Sequence, residues 1–113
     1  MNLYSFTAEG KPKTKQRPRM TRRGRVFTPQ ETLEAERIIA EQYNGPIFEG
    51  PIALIISYGN DHQQITIMPL TTFDNESKLR GDLDNYIKLT SDALNGIAFQ
   101  DDRQIKLIVG KFL

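Results

Sequence analysis

The sequence has no cysteine and a single histidine, His62. Without thiols there is no disulfide framework, no thiolate zinc site and no cysteine nucleophile. One histidine cannot supply a histidine-pair metal site. No apolar run approaches the roughly 20 residues that a bilayer-spanning helix needs, so no membrane partner is expected. The first residues, Met1-Asn2-Leu3-Tyr4-Ser5-Phe6, carry neither a basic leader nor a long apolar stretch, so no secretory signal is expected. Freedom from cysteine is compatible with a reducing cytoplasm, the expected location. A local absence is more informative. Between Lys11 and Arg25 there are eight basic residues and no acidic one, while the rest of the chain holds seven basic and fourteen acidic residues. The formal net charge of +1 therefore conceals +8 in one short segment and −7 elsewhere.

What is present is ordinary for a folded domain. The chain has 113 residues, 38% of them hydrophobic and 26% charged, which suits one domain with a modest core. Alternation over Leu3–Ala8 places Tyr4 and Phe6 on one side of a short strand. The basic stretch, with Pro12, Pro18 and Gly24, reads as a loop or irregular hairpin, with a brief extended piece at Arg25-Val26-Phe27. Thr28-Pro29-Gln30-Glu31 reads as a helix start, with Thr28 capping, Pro29 at the first helical position and Glu31 closing a capping box. That helix should stop near Gln42 or Tyr43, before Asn44-Gly45-Pro46, and bury Leu33, Ala35, Ile38, Ile39 and Ala40 on one face.

The apolar run from Pro51 to Tyr58 reads as a central strand. Gly59-Asn60-Asp61 turns it into a second strand over Gln64–Met68, completing a hairpin. Residues 69–80 read as irregular, with a mobile stretch at 74–77. A second helix is predicted from about Leu83 to Leu94, stopped at Asn95-Gly96. The run Gln104–Leu113 reads as a final strand. Together these predict an α+β fold, a single domain with a mixed four- to five-stranded sheet and two helices packed on it.

The second helix carries the chemistry. At about 100° per residue, Asp84, Lys88 and Asp92 form one polar ridge at i, i+4, i+8, with Asn85 beside it. Leu83, Ile87 and Leu94 lie to one side and Tyr86, Leu89 and Ala93 to the other. Asp82 sits at the junction before the helix, and Asp101-Asp102 follows it. These residues have an ordinary explanation: a capping Asp, an exposed ion-pair ladder and an acidic turn. They also suit a Mg2+ site, because that ion takes hard oxygen ligands and needs only one or two protein carboxylates beside water and phosphate. Lys88 would then add positive charge at the reacting phosphate.

The basic segment likewise reads either as a solvated loop or as a phosphate-binding arm. In the second reading Lys11, Lys13, Lys15, Arg17, Arg19, Arg22, Arg23 and Arg25 grip a nucleic-acid backbone. Phe27 is the only aromatic there, so backbone binding of duplex or branched DNA fits better than base stacking on single strands.

Arg17-Pro18-Arg19-Met20-Thr21-Arg22-Arg23-Gly24-Arg25-Val26-Phe27-Thr28-Pro29 resembles the amino-terminal signature of the RusA family of Holliday junction resolvases. So do Gly81-Asp82-Leu83-Asp84-Asn85-Tyr86-Ile87-Lys88, then Asp92-Ala93-Leu94-Asn95-Gly96-Ile97, then Asp101-Asp102-Arg103-Gln104-Ile105. The resemblance implies a RusA-like fold and a homodimeric, Mg2+-dependent endonuclease, with Mn2+ as a substitute ion. Such an enzyme nicks four-way or branched DNA in recombination and repair. It implies Asp82, Asp84 and Asp102 as catalytic, metal-holding carboxylates and Lys88 as the essential lysine. Asp101 is a further candidate ligand, Asp92 and Asn85 are supporting residues, and the basic segment holds DNA. Gly81 departs from the family pattern, which often has proline there. Two other readings stay open: a non-catalytic DNA-binding module, and a regulatory protein that binds partners through its acidic surface.

Overall fold

In the computed structural model, which describes residues 2–70 and 78–112, the chain forms two compact units. The first, residues 1–71, contains every strand found among the described residues. β1 (Tyr4–Glu9) leads to a two-stranded ribbon, β2 (Arg19–Met20) and β3 (Val26–Phe27). Helix α1 (Gln30–Glu41) follows, then the hairpin of β4 (Ile52–Tyr58) and β5 (His62–Pro69). The second unit, residues 72–113, contains α2 (Leu83–Leu94) and a 3-10 turn at Asp102–Gln104. The expected α+β class is what the structure shows, and every strand pair is antiparallel. The mobile stretch expected at 74–77 lies outside the described residues.

The main sheet has the order β1-β5-β4. Gly59 N–H donates to the His62 carbonyl at 2.8 Å and closes the expected turn, with Tyr58 opposite Gln63. Among the described residues Ile52–Tyr58 is an edge strand rather than the expected central one, and β5 is central. An unbroken apolar run shows that a strand can be covered on both faces, but not which strands lie beside it. Ile52, Leu54, Ile55 and Tyr58 are in fact exposed. β5 alternates only over its first half, with Gln63 and Ile65 buried and Gln64 exposed between them, and is half-buried throughout Thr66–Pro69.

Tyr4 and Phe6 do share one side of β1, and Tyr43 packs edge-on against both rings at 5.2 and 5.4 Å. The Gln42 carboxamide accepts from Glu9 N–H at 2.7 Å and donates to Glu9 O at 2.9 Å, substituting for a neighbouring strand at the end of β1. These contacts dock the end of α1 on the sheet.

The start of α1 differs from expectation. Pro29, not Thr28, occupies the N-cap with φ −57° and ψ 143°, and no side chain caps the helix. The Pro29 carbonyl receives the Thr32 and Leu33 N–H groups, while Glu31 turns aside to Gln16. Leu33 and Ile38 are exposed, and Thr32 is the buried residue of this helix.

α2 spans the expected residues, and Gly96 adopts φ +82° just beyond it, a conformation that favours glycine. The expected final strand is absent among the described residues: after the 3-10 turn the chain has no regular structure. Apolar residues in that stretch have no ladder partner there. Gly110 instead lies against α2, so close that a Cβ would stand 2.7 Å from Ile87 Cγ1.

Candidate active site and basic ribbon

Asp82 occupies the N-cap position of α2 with extended backbone, φ −83° and ψ 137°, and its carbonyl accepts from Asn85 N–H. Its carboxylate makes no capping bond, so the ordinary role of such a residue is unfilled. The lead-in is fixed by Tyr86, whose hydroxyl donates to the Arg80 carbonyl and whose ring packs edge-on against Phe112 at 5.6 Å. Gly81 has φ +102°, a value closed to proline. The departure from the family pattern at this position thus matches a backbone that proline cannot adopt.

Asp84 lies in the first turn of α2, and Lys88 and Asp92 continue the ridge along one exposed face with Asn85 beside it. The ion-pair ladder this spacing offers is not made: among the described residues no salt bridge joins Lys88 to Asp84 or Asp92. Asp84, Lys88 and Asp92 are exposed.

Asp101 and Asp102 have different roles. Asp101 caps the 3-10 turn, accepting from Arg103 N–H at 2.8 Å, while Gln104 Oε1 accepts from Asp101 N–H at 3.0 Å. The Arg103 guanidinium adds a salt bridge at 3.3 Å. The Arg103 backbone N–H, then its guanidinium, then a hydrogen-bonded contact with Asp102 hold the Asp101 carboxyl below the ordinary carboxylate range. Asp101 thus has a role in holding its own turn. Gln104 and Arg103 were not singled out from the sequence, although Asp101-Asp102-Arg103-Gln104 has capping-box spacing.

Asp102 lines an open depression of about 400 Å³ with Ser91 and Lys106. Ser91 is in the last turns of α2, about 10 Å along the axis from Asp84. Among the described residues, no three acidic or imidazole side chains gather closely enough to hold a metal ion. Asp82 and Asp84 share the start of α2, and Asp102 stands apart. The donor chemistry of this pair still fits Mg2+: all ligands would be carboxylate oxygens, and one or two protein carboxylates suffice for that ion.

In the first unit the basic segment closes into a ribbon. Arg19 pairs with Phe27 and Met20 with Val26. Thr21 N–H donates to Arg25 O at 2.8 Å, Arg25 N–H to Thr21 Oγ1 at 3.1 Å, and Gly24 turns the chain at φ +81°. Arg17, Arg19, Arg22, Arg23 and Arg25 are exposed and in no salt bridge among the described residues. Lys11 is also exposed. Lys15 pairs with Glu36 at 3.4 Å, and Lys13 lies in the field of Glu34. Among the described residues the ribbon arginines are therefore open to a partner, while Lys13 and Lys15 partly answer the acids of α1.

The first unit thus carries a basic ribbon, and the second a helix start whose acidic residues have no salt bridge among the described residues. The family model for endodeoxyribonuclease RusA matches residues 9–113, nearly the whole chain. The chain belongs to the RusA endodeoxyribonuclease family. No curated protein and no solved structure matches it.

Proposed function

We propose that this chain is a Mg2+-dependent, structure-specific endonuclease that resolves Holliday junctions by paired nicks, acting in recombination and repair. The observation that carries the reading is the start of α2, where the Asp82 side chain makes no capping bond and, among the described residues, Lys88 is in no salt bridge on the helix that carries Asp84. The family membership supports a nuclease.

Asp82 and Asp84 would hold the metal ion; Asp102, which the described residues do not bring into one group with them, is kept as the further catalytic carboxylate. When bound, Mg2+ supplies charge neutralisation at the scissile phosphate and a water of lowered pKa. Lys88, one turn beyond Asp84, places an ammonium where negative charge grows on the phosphate. Asn85 and Asp92 flank this ridge and support it. The ribbon arginines grip phosphates bidentately and hold the branched duplex. The protein works in the cytoplasm as a homodimer, because two symmetric nicks require two copies of the site.

The test is cleavage of a synthetic mobile four-way junction with Mg2+ or with EDTA. Symmetric nicks in the Mg2+ arm only are expected, with Mn2+ restoring activity after EDTA. Junction binding without nicking under either metal would leave a non-catalytic DNA-binding module.

A further inference from the structure

Where the ribbon joins α1, two hydrogen bonds meet. Gln16 N–H donates to Thr32 Oγ1 at 3.3 Å, and Gln16 Nε2 donates to Glu31 Oε2 at 3.0 Å. Thr32 is only 5% exposed. We propose that Gln16 is a positioning residue for DNA binding, clipped to Thr32 and Glu31 so that the arginine ribbon is pre-set before DNA arrives. The inference rests on the reading of the ribbon as a DNA-binding element.

The clip acts through chain closure. The ribbon leaves Gln16 at Arg17 and returns through Phe27 to the start of α1 at Gln30. Its exit is covalently fixed to the first turn of α1, and the clip fixes its entrance to Glu31 and Thr32 of that same turn. Pinning both ends removes conformational freedom that DNA binding would otherwise have to remove.

The geometry at Gln16 points the same way. A helical threonine commonly turns its hydroxyl back to its own helix, but Thr32 accepts a bond from outside. The Glu31 carboxylate can only accept, so the Gln16 amide must present its nitrogen to it. Gln16 Oε1 is then buried without a partner, a cost set by the orientation Glu31 imposes. The nearby Lys15–Glu36 pair is exposed on both sides and is worth little beside these two bonds.

The experiment measures affinity for a labelled four-way junction in EDTA, across a range of NaCl concentrations, with thermal melting alongside. Thr32→Val removes the acceptor at nearly constant shape, Thr32→Ser keeps it, and Gln16→Ala removes the amide without touching α1. Thr32→Val and Gln16→Ala should each weaken binding about three- to tenfold, the scale of one or two net hydrogen bonds, with the salt slope unchanged. Thr32→Ser should bind as wild type does. Wild-type affinity in both Thr32→Val and Gln16→Ala overturns the clip, as does Thr32→Ser binding as weakly as Thr32→Val. Should Thr32→Val fail to fold, Gln16→Ala alone decides. Replacing Arg17, Arg19, Arg22 and Arg23 reports separately on the underlying reading, because only removing cations from the phosphates flattens the salt slope.

Discussion

The aspartates near α2 are alike in the sequence and different in the structure. Asp82 and Asp84 carry the proposed chemistry, so Asp84→Asn should keep junction affinity while lowering Mg2+-dependent cleavage by roughly 100-fold or more. Cleavage by Asp84→Asn at the wild-type rate would remove the metal assignment. Asp101 is held by the Arg103 backbone and guanidinium, which lower its pKa in the folded state. Its stabilising contribution is therefore complete above the ordinary carboxylate range and lost as pH falls through the lowered value. Protection of the Arg103 amide, taken against its intrinsic exchange rate at each pH, should fall over that acid window in the wild type. Asp101→Asn should flatten the dependence, and an unchanged profile would deny Asp101 its capping role. Residue spacing placed all these carboxylates correctly along the chain. It could not show that Asp101 caps its turn and that Asp82 does not cap α2, because that depends on which neighbouring N–H groups each carboxylate meets.

At the scale of elements, legibility followed how local the determinants are. α2 was readable to its ends because its period and Gly96 are both encoded within it. The β4–β5 hairpin was readable because Gly59-Asn60-Asp61 fixes its own turn. The edge position of β4 and the irregular path after Gln104 were not, since both depend on partners distant in sequence. Thr28 was misread for a subtler reason: the same Thr-Pro pair allows proline one position earlier, at the cap, where extended backbone also suits it. The path after Gln104 gives a prediction of its own. Gly110→Ala would drive a Cβ to within 2.7 Å of Ile87 Cγ1, an atom near the backbone that cannot simply swing away. The variant should lose about 1–3 kcal/mol by urea or thermal unfolding, the usual scale of overpacking. A Gly110→Ala protein as stable as wild type would mean that this packing against α2 is loose.

For the whole molecule, a net charge of +1 is the sum of +8 in one basic segment and −7 spread over the rest of the chain, rather than a sign of electrostatic indifference. The cationic ribbon has its own small hairpin, and the acidic ridge has its own helix. Joint replacement of Arg17, Arg19, Arg22 and Arg23 by alanine should weaken junction binding at low salt. The slope of log affinity against log salt should drop by about one unit for each phosphate that is no longer neutralised. An unaltered slope would show that the ribbon does not meet DNA. Cleavage of junctions already saturated by enzyme should change far less, because these arginines hold DNA and do not touch the reacting bond.

The edge strand β4 carries a different implication. Among the described residues one side of its backbone has no ladder partner, and Ile52, Leu54 and Ile55 are exposed along it. A strand that is apolar and open on one side accepts any extended chain of similar character. In a concentrated sample this row offers copies of the chain a place to pair edge to edge. A lysine introduced at Leu54 would act on that tendency while leaving the ribbon and α2 untouched.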